Sequence, residues 1–83
     1  MTNNIQWRER PRPARLERRY EFENYETLRR FLDDAADLSE REGLYPDMGF
    51  ARDYVNITIH ADEGSSELAD KQRRFAQMLD GLR

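Results

Sequence analysis

The chain has 83 residues, no cysteine, one histidine, 37% charged residues and a formal net charge of −3. That length leaves room for one core, and a core this small is commonly reinforced by disulfides, a metal or a second copy of the chain. Without cysteine there is neither a disulfide nor a thiolate metal site, and His60 alone excludes a multi-histidine site within one protomer, so no metal is expected and self-association is the remaining route.

Charge is unevenly placed. Residues 1–20 hold six arginines against Glu9 and Glu17, a net +4 that leaves −7 for the remainder. Arg8, Arg10, Arg12, Arg15, Arg18 and Arg19 can address phosphate or carboxylate groups. Because the chain as a whole is acidic, an acidic protein partner fits better than nucleic acid, and a solvated strand face is the plainer alternative. The opening MTNNIQWRERPRP has no apolar run of signal-peptide length, and no later stretch reaches the roughly 20 apolar residues of a membrane span. A cytoplasmic protein with no membrane partner is expected.

In chain order, a short extended segment at Ile5 to Glu9 is expected before a turn at Pro11 to Pro13. The stretch Arg15 to Phe22 sets Leu16, Tyr20 and Phe22 at alternate positions, the period of a half-buried strand. Arg18 interrupts that face, so its stem should pack while its guanidinium reaches an edge. Asn24 then caps a helix over Tyr25 to Glu42, where Leu28, Phe31, Leu32, Ala35 and Leu38 recur at helical spacing and Gly43 ends the run.

A weaker strand at Met48 to Arg52 and a tight turn at Asp53 lead into Tyr54 to Ala61. There Val55, Ile57 and Ile59 share one face and Asn56, Thr58 and His60 the other. After an acidic loop at Asp62 to Ser66, a second helix buries Leu68, Phe75, Met78, Leu79 and Leu82 and keeps Lys71, Arg73, Arg74 and Asp80 wet.

The order β-β-α-β-β-α predicts a single α+β domain over residues 1–83, a two-layer structure with two helices on one face of a four-stranded antiparallel sheet. Such a sheet has two open edges, and covering one with a second copy predicts a symmetric homodimer, with Trp7 and Tyr54 as candidate contacts or ordinary rim aromatics.

Candidates for acid–base chemistry are His60, Glu40, Glu42, Tyr45 and Asp47, but no pair stands at a recognisable catalytic spacing. No glycine-rich phosphate loop, nucleophile elbow or metal-ligand carboxylate cluster is present either.

The section Glu40-Arg-Glu-Gly-Leu44-Tyr45-Pro46-Asp47, followed by Tyr54-Val55-Asn56-Ile57-Thr58-Ile59, resembles the pterin-4a-carbinolamine dehydratases. Members of that family place a Glu, three residues, His-His-Pro and an acidic residue, then a third His on the next strand. Trp7, Leu16, Arg18, Phe22, Tyr25, Phe31 and Leu32 fit the same spacing, and the likeness runs from Trp7 to Leu82.

The resemblance implies the two-layer fold and a sheet-to-sheet dimer, but not the activity. The three histidine positions hold Leu44, Tyr45 and Asn56 here, and of that motif Glu40, Pro46 and Asp47 are kept. The family's acid near the last helix falls on Lys71, one residue from Asp70. Dehydrating a hydroxylated tetrahydropterin requires proton donation and removal near neutral pH; Leu44 can do neither, and a phenol such as that of Tyr45 is a poor neutral-pH base.

The pattern is similar to that of a degenerate, non-catalytic group of the family associated with Rubisco assembly in α-carboxysomes. This implies a chaperone-like binding protein with Rubisco subunits as partner, no cofactor, and a cytoplasmic, carboxysome-associated location. Partner contacts are expected at Arg8, Arg10, Arg12, Arg15, Arg19 and His60, and the altered pocket at Leu44, Tyr45, Pro46, Asp47 and Asn56. The alternatives are a weakly active 4a-hydroxytetrahydrobiopterin dehydratase and pterin binding without turnover.

Overall fold

In the computed structural model, residues 7–83 are described. They form β1 (Arg8–Pro11), β2 (Ala14–Glu21), α1 (Tyr25–Glu42), β3 (Asp47–Phe50), β4 (Tyr54–His60) and α2 (Asp70–Asp80). The strands make one antiparallel sheet in the order β1-β2-β4-β3, so the two longest strands lie at its centre and the four-residue strands at its edges. This is the expected α+β layout.

The alternation in β2 and β4 divides the sheet into a dry and a wet face. Leu16 faces Ile59, Arg18 faces Ile57 and Tyr20 faces Val55 across the central pair, while Arg15–His60, Glu17–Thr58 and Arg19–Asn56 occupy the opposite face. Leu28, Phe31, Ala35 and Leu38 of α1 and Phe75, Ala76 and Leu79 of α2 close over the dry face and complete the core. Each such large apolar side chain, fully buried, contributes about 1.5–3 kcal/mol, so a handful of them decides whether this short chain folds.

Local chemistry sets the element ends. Asn24 accepts a hydrogen bond from the Thr27 backbone N–H and caps α1. At the other end Gly43 adopts φ 71°, ψ 25°, a left-handed conformation that suits a residue without Cβ. The Gly43 and Leu44 amides both donate to the Ser39 carbonyl, which closes the helix and turns Leu44 back onto the core.

Several sequence expectations change, among them β3, which is Asp47–Phe50 and not Met48 to Arg52. β1 is Arg8–Pro11, so Pro11 belongs to the strand and pairs with Ala14, and the turn contracts to Arg12 and Pro13; Ile5 lies outside the described residues. α2 is shorter than its apolar pattern, with Leu68 before it and Leu82 after it, both packed against the core from outside the helix. Asp80 is not a solvated helix residue but a hub that receives hydrogen bonds from Trp7 Nε1 at 3.1 Å, from Arg18 at 2.6 Å and from the Tyr20 hydroxyl.

The second sheet-facing residue that the sequence conceals is Gln72, fully buried on α2. Its Oε1 accepts from the Ala69 amide at 2.6 Å and its Nε2 donates to Asp62 at 3.0 Å. Ala69 offers no side-chain acceptor to the helix N-terminus, so Gln72 supplies the reach-back half of a capping box alone.

Candidate functional site

Leu44, Tyr45 and Pro46 form the connection from α1 into β3, and Asp47 begins that strand. Leu44 is partly buried against the core, held there by the turn at Gly43, so its side chain serves the fold. Tyr45 is 73% exposed. Together with Pro46 it separates two shallow concavities. One runs between α1 and β3 past Asp37, Glu40 and Met48; the other, at the end of the sheet, is bordered by Leu44, His60, Glu63 and Gln72.

His60 meets Asp47 across the β4–β3 pair, its Nε2 lying 2.8 Å from the carboxylate, with both side chains well exposed. This imidazole beside a carboxylate stands in water, and no buried acid or base faces it. Lys71 is engaged with Asp62 at 2.9 Å, and that contact draws the Asp62 carboxyl below its ordinary value. Asp70 is exposed in the first turn of α2.

Asn56 lies elsewhere. It belongs to the wet face of the sheet, opposite Arg19 on β2 and Gly49 on β3, and accepts a hydrogen bond from Arg19 Nε at 2.9 Å. It lines a groove with Arg8, Glu17, Arg19 and Thr58, whereas Leu44 and Tyr45 line the concavities at the sheet end. The three positions singled out in the sequence therefore do not surround one cavity of this protomer.

The arginine-rich beginning of the chain is likewise not a free arm over its described part. Arg8 and Arg10 on β1 and Arg15 and Arg19 on β2 share the wet face, Arg12 sits on the hairpin turn, and Arg18 points to the helices. Arg15 and Arg10 both donate to Glu17, at 2.7 and 3.3 Å, and Arg15 foremost holds that carboxyl below its usual range. Trp7 packs edge-on against Tyr20, with ring centroids 6.2 Å apart, on the helix side of the sheet. Tyr54 stays on the wet face, with the Arg19 guanidinium 4.1 Å from its ring centre.

No protein-family model and no curated protein matches the chain. Solved structures do. A pterin dehydratase-like protein described as a RuBisCO assembly factor in the alpha-carboxysome is 39% identical, with 94% of this chain and 89% of that one aligned at a TM-score of 0.84.

The chain belongs to the pterin dehydratase-like family. A transcriptional coactivator/pterin dehydratase from Brucella melitensis, 18% identical, aligns over 93% of this chain and 81% of its own at a TM-score of 0.83, which shows a common fold. In this pterin dehydratase-like chain Leu44 packs against the core, Tyr45 is exposed and Asn56 lies on the sheet face. The residues that sequence reasoning missed are Asp80, whose partners lie 60 or more positions away, and Gln72, whose partners lie three and ten positions back, before α2 begins.

Proposed function

We propose that the protein is a non-catalytic pterin dehydratase-like binding protein that assists the assembly of Rubisco, in the cytoplasm and in association with α-carboxysomes. The observation that carries this reading is the 39% identity, over nearly the full length of both chains, to a protein described as a RuBisCO assembly factor. Leu44, Tyr45 and Asn56 support it from the chemical side, since none offers the imidazole that moves protons at neutral pH.

The working form is a homodimer. Of the two sheet edges, β1 carries Pro11, which has no amide to donate, and a run of charged side chains, both of which discourage pairing. The β3 edge, with Gly49 and the 54% exposed Phe50, is the one open to a second copy. A dimer presents each docking surface twice, which raises avidity for a partner that is itself an oligomer.

A second reading, pterin binding without turnover or with weak dehydratase activity, draws on the exposed His60–Asp47 pair beside Tyr45. Co-expression of Rubisco large and small subunits in a heterologous bacterium, with and without this protein, separates the two. More holoenzyme on a native gel is the outcome expected. An unchanged yield with both partners well expressed would refute the assembly role.

A further inference from the structure

The wet face of the sheet is neither uniformly charged nor uniformly neutralised. Glu17 satisfies Arg10 and Arg15, which together hold it between them. Arg8, in register with Glu17 across β1–β2, has no ion-pair partner among the described residues. Arg19 gives its Nε to Asn56 and sets its guanidinium 4.1 Å from the Tyr54 ring centre, so the group is held from two sides while its two terminal nitrogens have no partner among the described residues.

Arg8 and Arg19 line one groove together with Glu17, Asn56 and Thr58. Arg8 pairs with Glu17, so Arg19 is its diagonal neighbour, with backbones about 7–8 Å apart, and from there Arg19 reaches on toward β4, where its Nε meets Asn56. Alternate side chains of an extended chain repeat about every 6.8 Å. An extended segment laid over the groove with carboxylates along one face can therefore meet both guanidinium groups. Arg8, Arg10, Arg15 and Arg19 against Glu17 leave this part of the face net positive within a chain whose other regions are acidic.

From this geometry we infer that the groove holds an extended acidic segment of the protein partner, with carboxylates on one face of that segment meeting Arg8 and Arg19. The inference rests on the proposed role as a protein-binding factor and specifies the chemistry of the docking surface. Asn56 acts by orienting Arg19, a task for which an amide oxygen is suited and a protonated imidazole is not.

The test is fluorescence anisotropy with a labelled peptide carrying Glu at alternate positions, alongside its Gln counterpart and a single-stranded oligouridine. Saturable binding of the Glu peptide is expected, weakening as salt is raised. Arg8→Glu or Arg19→Glu should reduce affinity about tenfold or more, and Arg29→Glu on the exposed side of α1 less than about twofold. Both altered arginines are exposed, and an unchanged thermal melt confirms that each variant folds.

No saturable binding, equal binding of the Gln peptide, or an equal effect of Arg29→Glu would overturn the inference. Tighter, Arg8- and Arg19-dependent binding of the oligouridine would overturn it in favour of nucleic acid. The same variants in the Rubisco co-expression assay separate the two proposals. If the wild type binds the peptide yet leaves holoenzyme yield unchanged, the assembly role fails and the groove stands. If the wild type raises the yield and both arginine variants raise it equally, the assembly role stands and the groove is not its docking site.

Discussion

Tyr20, buried in β2, donates its hydroxyl to Asp80 at the end of α2, 60 positions away in the chain. The same carboxylate accepts from Trp7 and from Arg18, and the Arg18 side chain is only 19% exposed. One acid thus gathers the residue just before β1, the second half of β2 and the last turn of α2.

Asp80→Ala should lower stability by about 2–3 kcal/mol, because it leaves a largely buried guanidinium without its counter-charge. Arg18 Nε already has no partner among the described residues, so the remaining network has little to offer. Urea denaturation should show a lower midpoint with an unchanged slope. A midpoint within error of the parent would mean that solvent screens this pair fully. Asp80→Asn, which keeps an acceptor, should fall between the two.

The Tyr20 phenol is raised well above its ordinary value of 10.0, first by burial and then by the bond to Asp80. The folded state therefore holds that proton more tightly than the unfolded state. Its contribution is fully present below pH 10 and is lost as pH climbs toward the raised native value. Tyr20→Phe should be less stable at pH 7 by about 1–2 kcal/mol and should flatten the decline above pH 10, followed by denaturant midpoints across that range.

On the acid side the sign reverses. Glu9 is lowered from 4.5, chiefly by its paired hydrogen bonds to Arg73 at 2.9 Å, and Glu17 is lowered by Arg15 and Arg10. These groups stabilise the fold above pH 4.5, and their contribution is lost as pH falls through the depressed native values. The Glu9–Arg73 bridge is exposed and the Glu17 bridges are partly so, and each is small. Thermal melts between pH 6 and 3 should fall less steeply for a Glu9→Gln, Glu17→Gln double variant than for the parent.

At Gly43 an added Cβ meets nothing within 4 Å, so a substitution there is penalised by backbone conformation alone. Gly43→Ala should cost about 1 kcal/mol and Gly43→Asn less, since asparagine tolerates the left-handed region. Equal losses for the two would point to a contact that the geometry does not contain.

Dehydratase turnover of a 4a-hydroxytetrahydropterin should stay at the uncatalysed rate, and His60→Ala should leave it there, because His60 and its partner Asp47 both stand in solvent. Product formation followed by absorbance gives the answer directly. A rate above background that drops with His60→Ala would restore an enzymatic role.

The sheet and helices were legible because their signals are local. Val55, Ile57 and Ile59 repeat every second residue and Leu28, Phe31, Ala35 and Leu38 every third or fourth, and each set reached the core as a unit. The register that brings Arg8 next to Glu17 and Arg19 next to Asn56 depends on how β1 and β4 lie against β2, which no single segment records. Asp80 and Gln72 were obscured by a rule that holds on average: polar residues in an amphipathic helix face water unless a distant partner claims them. Leu44 read as a lost histidine, yet in space it is the apolar residue that seals the end of α1.

The polar contacts of α2 also bear on how the molecule opens. Eleven residues are too few for a helix to persist alone in water, where roughly 12–15 are marginal. This one is clasped at both ends, by Gln72 on Asp62 and by Asp80 on β2. Fraying from either terminus must first break a side-chain bond to another element, so the amides of α2 should exchange with deuterium together with those of β2, as a single cooperative unit.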